Sequence, residues 1–275
     1  MSTIADVILG VLKDASVKRI YGIPGDSLNG FTDALRRDGS IAWQHVRHEE
    51  AAALAAAAEA ALTGELAVCV GSCGPGSIHL INGLYDATRS RVPVLAIAAQ
   101  IPAAEMGGSY FQETHPQDVL REASVYCELV SDPEQLPRVL EIAMRTAIER
   151  RGAAVVVIPG EIFLKKSKPH RRTAPIRFMP RVMRPTDGEL KAAADLLNSA
   201  KKVTIFGGAG VEGAHAELLA IAEKLKAPVV HALRGKQFIE YKNPYDVGMT
   251  GLLGFTSGYR AIESCDVLLL LGTDF

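Results

Sequence analysis

Two adjacent carboxylates, Glu49 and Glu50, begin an alanine-dense stretch that continues to Leu62. Alanine has the highest helix propensity and lets another backbone approach closely. The sequence therefore predicts a helix that ends at Gly64, a residue type suited to the left-handed conformation that terminates helices. Carboxylates in a first turn lie near the positive end of the helix dipole, which favours their charged form. From this stretch alone, two solvated first-turn charges are the simpler interpretation, and a group that takes part in chemistry is the alternative.

Glycine-rich loops are the second feature that could approach a ligand. Residues 71–77 follow an apolar strand, and residues 208–213 fit G-x-G-x-x-G between a strand and a helix, which is the context of a dinucleotide-binding turn. No Asp or Glu ends the next strand, so NAD lacks its ribose ligand, whereas Arg234 leaves NADP open. A glycine-rich turn without a ligand is the alternative. Residues 248–254 and the strand end at 272–275 could converge on the same elongated ligand.

The histidines and cysteines form no recognisable metal-binding pattern. His79 and His115 have no cysteine or carboxylate partner at the spacing of metal ligands, so we predict no metal site within this chain. The cysteines fit no zinc spacing either, and free thiols suit a reducing, cytoplasmic compartment. They are Cys69, Cys73, Cys127 and Cys265.

Length and charge narrow the classes of function. A chain of 275 residues suggests about two domains, and 48% hydrophobic residues are ample for packed cores. The formal net charge of -1 excludes a broad nucleic-acid-binding surface. No apolar run approaches the roughly 20 residues that a membrane span needs. Asp6 and Asp14 interrupt the apolar residues of the N-terminus, which therefore does not resemble a signal peptide.

Apolar strands that alternate with helices predict an α/β fold with parallel sheets covered on both faces. We predict a first domain at residues 1–163, a basic, proline-bearing linker at 164–185, and part of a Rossmann-like domain at 186–275. The chain stops just after a buried strand, where a parallel sheet ordinarily continues into a covering helix. We therefore expect a fragment of a longer protein.

Six motifs, in this order and spacing, resemble the thiamine-diphosphate-dependent pyruvate oxidase and acetohydroxyacid synthase family. The likeness is closest to the quinone-dependent pyruvate dehydrogenases of bacteria, and residues 231–236 and 243–251 support this narrower resemblance. The motifs are YGIPGD at 21–26, RHEE at 47–50, GSCGPG at 71–76, NGLYDA at 82–87, VPVL at 92–95 and FQE at 111–113.

The resemblance implies that the first domain binds the aminopyrimidine of thiamine diphosphate and the second binds FAD. Glu49 matches the catalytic glutamate that hydrogen-bonds N1′ of the pyrimidine, and Phe111 and Gln112 match residues that face the reacting carbon. The cofactor-binding positions that the resemblance implies are Pro24, Gly25, Gly74, Pro75, Gly76 and Asn82 in the first domain, and Gly208, Gly210, Gly251, Leu252, Leu253, Gly254, Asp274 and Phe275 in the second.

The implied reaction is oxidative decarboxylation of pyruvate to acetate and CO2, with electrons passing through FAD to a quinone. Mg²⁺ and the diphosphate would be held by sequence outside this chain. The resemblance also implies a homo-oligomer, a tetramer, that lies in the cytoplasm and associates peripherally with the inner face of the cell membrane. Three alternatives stay open: an acetohydroxyacid synthase-type carboligase, a phosphate-dependent pyruvate oxidase, and a non-catalytic dinucleotide-binding protein.

Overall fold

The computed structural model describes residues 2–167 and 183–273. The chain divides into two compact units, Met1–Pro180 and Arg181–Phe275. Most of the predicted linker, together with the predicted site residues Asp274 and Phe275, lies outside the described residues. Each unit is an α/β structure with one parallel sheet, so the predicted fold class is confirmed.

The first unit has a six-stranded sheet in the order β2-β1-β3-β4-β6-β5, with every neighbouring pair parallel. Its strands are β1 (Arg19–Gly22), β2 (Ala42–His45), β3 (Ala67–Gly71), β4 (Val94–Gln100), β5 (Tyr126–Leu129) and β6 (Ala153–Pro159). Its helices are α1 (Ile4–Asp14), α2 (Asn29–Asp38), α3 (Glu49–Thr63), α4 (Pro75–Ile78), α5 (Ile81–Arg89), α6 (Pro116–Val119) and α7 (Leu136–Arg150).

The central strands β3, β4 and β6 are buried along their whole length, as expected for a parallel sheet covered on both faces. Apolar side chains of α1, α2 and α7 form one core against the sheet, and those of α3 and α5 form the other. The first core contains the Phe31–Phe163 pair, whose ring centroids are 5.7 Å apart. The second is built largely from alanines.

Helix α3 ends as its sequence predicts. Gly64 adopts the left-handed conformation (φ 71°), and its N–H donates to the carbonyl of Ala60. Five alanines of α3 are buried, and α5 approaches them closely. At Gly83 of α5, a β-carbon would overlap the side chain of Ala53 and lie 2.6 Å from the backbone nitrogen of Leu54. This glycine therefore sets the distance between the two helices.

The second unit has a four-stranded parallel sheet in the order β10-β7-β8-β9. Its strands are β7 (Val203–Gly207), β8 (Val229–His231), β9 (Asp246–Met249) and β10 (Val267–Leu271), and its helices are α8 (Asp187–Ser199), α9 (His215–Leu225), α10 (Lys236–Ile239) and α11 (Thr256–Glu263). Successive strands β7, β8 and β9 extend to one side, and β10 lies on the other side of β7. The order therefore reverses between β7 and β10, which is where doubly wound sheets bind ligands.

Several element boundaries differ from the sequence prediction. The glycine-rich loop predicted at 71–77 contains most of a short helix, α4, which is separated from α5 by His79 and Leu80. Strand β5 was not predicted because only one of its four residues is buried. Strand β9 lies partly inside the predicted glycine-rich loop, since it includes Gly248 and Met249. Within the described ranges, no helix combines the length and apolar character of a membrane span.

Candidate active site

Glu49 is the first residue of α3, and its side chain points into the protein. The residue is 8% exposed, whereas Glu50 is partly exposed. His48 precedes them as the N-cap, and its Nδ1 accepts a hydrogen bond from the Glu50 N–H at 3.2 Å. The interpretation of both carboxylates as solvated charges is therefore wrong for Glu49.

His79 supplies the polar partner of this buried carboxylate. Its Nδ1 lies 3.1 Å from Oε2 of Glu49, and its ring stacks on that of His48 with centroids 4.3 Å apart. Sequence spacing revealed no carboxylate partner for His79 because Glu49 is 30 positions away. Strand β3 separates the two residues in sequence. They meet because α4, which follows β3, lies beside the start of α3 and ends next to His79.

The glycine loop after β3 lies beside the free side of the Glu49 carboxylate. A β-carbon at Gly76 would lie 3.2 Å from Oε1 of Glu49, so the glycine leaves this oxygen accessible. Pro75 is the first residue of α4, and Gly74 before it has φ 63°. A β-carbon at Gly74 would be 2.7 Å from Cβ of Gln112, so this position also requires glycine. The structure thus brings Glu49, residues 74–76 and Gln112 together.

The loop that carries Phe111 and Gln112 is organised by Glu113. Its carboxylate accepts hydrogen bonds from the backbone N–H groups of Gly107 at 2.5 Å and Tyr110 at 3.1 Å. The first of these bonds is the main reason that the pKa of Glu113 lies below its ordinary value. Gln112 faces the glycine loop, where its Oε1 lies 3.4 Å from Sγ of Cys73. The ring of Phe111 is 79% exposed.

Three other predicted positions, Pro24, Gly25 and Asn82, lie around this centre without touching Glu49 in the described contacts. Gly25 packs so tightly on Ser72 that a β-carbon would overlap the serine side chain, and Pro24 before it is exposed. Ser27 fixes the same turn, because its Oγ lies 2.8 Å from Oγ of Ser72. Asn82 donates from Nδ2 to Oε1 of Glu50 at 2.8 Å. The structure therefore links Asn82 to Glu50.

In the second unit, Gly208 and Gly210 lie against the end of β10. The N–H of Gly208 donates to Leu271, and that of Gly210 donates to Gly272, each at 2.9 Å. A β-carbon at Gly210 would be 2.7 Å from Cα of Gly272. These glycines permit close contact between two loops at the reversal of strand order. Both N–H groups already have backbone acceptors, so a diphosphate at this turn would be bound by other groups of the loop.

A cleft of about 490 Å³ lies beside the glycine-rich turn after β9. Gly251 has φ 104°, and Leu252 and Leu253 at the tip of the turn are exposed. Gly254 lies close to the backbone of Thr250, where a β-carbon would be 2.6 Å from its Cα. The residues that line the cleft are Thr250, Gly251, Gly254, Phe255, Thr256 and Tyr259.

The sequence matches two family models, which describe two domains of the same enzyme family. Residues 2–120 match the N-terminal TPP-binding domain of thiamine pyrophosphate enzymes, and residues 190–275 match the central domain of the same enzymes. The chain belongs to the thiamine pyrophosphate enzyme family. The match over residues 2–120 includes Glu49, His79, the glycine loop and Gln112.

Curated relatives extend the match across the chain. It is 62% identical over 273 residues to an uncharacterized 42.6 kDa protein of the isoamylase 3′ region of Pseudomonas amyloderamosa, covering 99% of this chain and 69% of the relative. It is 32% identical over 271 residues to the pyruvate oxidase of Lactiplantibacillus plantarum, covering 98% of this chain and 45% of the relative. It is also 32% identical over 279 residues to the acetolactate synthase isozyme 2 large subunit of Escherichia coli, covering 98% of this chain and 49% of the relative. The chain thus spans about half the length of the two relatives with named activities.

Proposed function

We propose that the whole protein carrying this chain catalyses thiamine-diphosphate- and FAD-dependent oxidative decarboxylation of pyruvate to acetate and CO2, with a quinone as the electron acceptor. The observation that carries the proposal is the buried carboxylate of Glu49, which has one oxygen held by His79 and the other facing Gly76. The similarity to a pyruvate oxidase supports the substrate.

The residues of the first unit fit the aminopyrimidine half of thiamine diphosphate. When bound, this cofactor supplies a nucleophilic carbon and accepts the electrons left by loss of CO2. Oε1 of Glu49 would share a proton with the pyrimidine ring nitrogen, which requires a carboxylate accessible from one side. Gly74, Pro75 and Gly76 would let the ring approach the backbone. Gln112 and Phe111 would lie beside the reacting carbon of the substrate.

FAD would bind in the second unit, where the cleft after β9 offers an aromatic and glycine-rich surface. We assign the flavin contacts to residues 251–254, to Gly208 and Gly210, and to Asp274 and Phe275. We place the ligands of Mg²⁺ and of the diphosphate in the part of the relatives that this chain does not cover. We further propose a cytoplasmic homotetramer. It associates peripherally with the membrane, because the membrane is where a quinone acceptor is dissolved.

A carboligase of the acetolactate synthase kind is the second candidate, because an acetolactate synthase is as similar to this chain as the pyruvate oxidase is. A phosphate-dependent oxidase is a variant of the first candidate. The two classes differ in what the flavin does. In oxidation, water and pyruvate give acetate and CO2 while two electrons and two protons reduce FAD. In ligation, two pyruvates give acetolactate and CO2, and FAD keeps its electrons.

The test adds pyruvate to the whole protein, reconstituted with thiamine diphosphate, Mg²⁺ and FAD, without oxygen. We expect the flavin absorbance to bleach while acetate forms in equal amount, and a quinone to restore the absorbance. Acetolactate without bleaching would establish the carboligase instead. Acetyl phosphate that forms only when phosphate is added would establish the phosphate-dependent oxidase. The proposal would be contradicted if the flavin absorbance did not bleach and no product formed.

A further inference from the structure

The three side chains at the start of α3, His48, Glu49 and His79, also have the composition of a metal-binding site. One ligand atom each from His48, Glu49 and His79 lies within 4.8 Å of the other two. The carboxylate is buried and the two imidazoles are exposed to solvent. We call these residues the His48–Glu49–His79 cluster. It combines two imidazole nitrogen ligands with one oxygen ligand, and an ion can reach the exposed imidazoles from solution.

The donor set of the cluster suits a borderline transition-metal ion. Two histidines and one glutamate, with a water as fourth ligand, are a recurrent set for Zn²⁺. Mg²⁺ prefers oxygen ligands and keeps several of its waters, so it does not fit two imidazoles. The cluster would therefore select a different ion from the Mg²⁺ that accompanies thiamine diphosphate.

The distances allow one ion to contact all three side chains. Ligands about 2.0–2.1 Å from a tetrahedral Zn²⁺ are about 3.4 Å from one another. Oε2 of Glu49 and Nδ1 of His79 are already 3.1 Å apart. No separation within the cluster exceeds 4.8 Å, so a shortening of at most about 1.4 Å is needed, which rotation of an exposed imidazole can supply. The stacked rings must rotate out of their parallel arrangement, since a metal lies in the plane of each imidazole that binds it.

We propose that the His48–Glu49–His79 cluster binds one divalent transition-metal ion of the Zn²⁺ class when thiamine diphosphate is absent. The ion binds Oε2 of Glu49 and neutralises the carboxylate whose Oε1 would share a proton with the aminopyrimidine, so the metal and the aminopyrimidine compete for Glu49. This last consequence rests on the proposed function, whereas the metal site itself does not. The expected result is an enzyme that Zn²⁺ inhibits by competing with its cofactor.

The first experiment measures metal binding alone, by calorimetric titration of the whole protein with Zn²⁺ in the absence of cofactor. His48→Asn keeps a side chain that caps a helix, and His79→Gln keeps a hydrogen-bond donor for Glu49. Neither replacement supplies an imidazole nitrogen. We expect each to weaken Zn²⁺ binding tenfold or more. His45→Ala, which removes an exposed histidine outside the cluster, should leave the affinity unchanged. Wild-type affinity in both cluster variants would overturn the metal site, and so would loss of affinity in His45→Ala.

A second measurement on the unmodified protein does not depend on the folding of any variant. Co²⁺ in place of Zn²⁺ should give the intense visible absorption of a tetrahedral ion, and added Zn²⁺ should remove it. A weak spectrum typical of six ligands would overturn the site.

The competition experiment separates this inference from the proposed function. Zn²⁺ should raise the apparent dissociation constant of thiamine diphosphate in the wild type and have a smaller effect in His48→Asn. If Zn²⁺ binds at the cluster and thiamine diphosphate binds unhindered, the metal site stands and Glu49 is not the partner of the pyrimidine. If Zn²⁺ does not bind while Glu49 proves essential for turnover, the metal site is overturned and the proposed function stands.

Discussion

Glu49 and Glu50 are identical in type and adjacent in sequence, yet their surroundings differ. Both lie in the first turn of α3, where the helix dipole favours a negative charge. Only Glu49 is buried, with His79 on one oxygen and Gly76 beside the other. Glu50 instead accepts a hydrogen bond from Asn82 on the partly exposed side of the helix. The contrast between the two residues therefore comes from tertiary neighbours, not from the helix.

The pair offers a matched test of the proposed acid–base role. We expect Glu49→Gln to lower the turnover number of the whole protein by a factor on the order of 10² or more, the usual contribution of general acid–base assistance. Glu50→Gln should be mild, because a first-turn charge contributes less than about 1 kcal/mol. Steady-state kinetics with saturating thiamine diphosphate measures both. Equal losses at the two positions would contradict the assignment of Glu49.

Phe111 is a large apolar residue that is exposed beside the candidate site. Its ring is 79% exposed on a loop that Glu113 holds in shape. If it forms a wall beside the substrate, Phe111→Ala should shift the ratio of kcat/KM for pyruvate and for 2-ketobutyrate by about 1–3 kcal/mol, the value of an apolar contact in a specificity pocket. Tyr110→Ala, at the neighbouring exposed aromatic, is the control. A ratio unchanged in Phe111→Ala would place that ring away from the substrate.

At the scale of elements, the contact between α3 and α5 depends on the absence of a side chain at Gly83. Gly83→Ala gains helix propensity but forces a β-carbon against Ala53 and the backbone of Leu54. Overpacking of this kind costs about 1–3 kcal/mol of unfolding free energy. Gly10→Ala in α1 is the matched control, because nothing lies within 4 Å of its β-carbon. This control should stabilise by about 0.5–1 kcal/mol.

Denaturant unfolding of the two variants measures both effects with opposite signs. A stabilised Gly83→Ala would mean that α3 and α5 can separate at no cost. In that case Gly83 would not set the distance between the two helices.

The elements also show what the sequence could and could not predict. Strands β3, β4 and β6 are among the apolar strands that the sequence indicates, because burial on both faces requires an uninterrupted apolar run, which is a local signal. Strand β5 lacks this run because it lies at the edge of its sheet, and β9, at the edge of the other, is interrupted by Gly248. Strands β5 and β9 each form backbone hydrogen bonds to one neighbouring strand, and this pairing cannot be read from the segment itself.

The candidate site shows the same limit more strongly. The role of Glu49 came from its resemblance to a motif, since its local pattern favoured a solvated charge. The partnership with His79 could not be read from the sequence, because it depends on how a chain segment of 30 positions folds back. The acceptors of the Gly208 and Gly210 N–H groups were equally hidden, since they lie at and just after the end of β10, more than 60 residues later.

At the scale of the whole molecule, both units place their glycine-rich loops at the carboxyl ends of parallel strands. In the first unit these loops follow β1 and β3, and in the second they follow β7 and β9. Within residues 2–167 and 183–273, none of the predicted site residues lies at the opposite ends of the strands. The proposed ligand-binding residues thus lie beyond the carboxyl ends of the strands in each sheet.

The cysteines test this division between packing and exposed surface. Burial raises the pKa of Cys69 to about 12 and that of Cys127 to about 11. At pH 8 only about one Cys127 thiol in a thousand is ionised, and the thiolate is the reactive form. Iodoacetamide at pH 8 should therefore leave both unmodified in the native protein and modify the partly exposed Cys265.

Peptide mass spectrometry would identify the modified positions, with a urea-unfolded sample as the control in which every cysteine reacts. If Cys69 in the native protein were labelled as fast as Cys265, the sheet of the first unit would have to open readily.

The alanine face of α3 has a further consequence for conformational entropy. A buried leucine or isoleucine loses about 0.5–1 kcal/mol of rotamer freedom on folding, whereas alanine has none to lose. Ala52, Ala53, Ala56, Ala57 and Ala60 thus dock α3 without freezing any side-chain torsion. No rotamer can hop within this face of the helix, so warming the protein cannot soften it in that way. The alanines that dock the helix of Glu49 therefore add no side-chain rotamers to its buried face, and the rotatable side chains near the carboxylate belong to the site residues themselves.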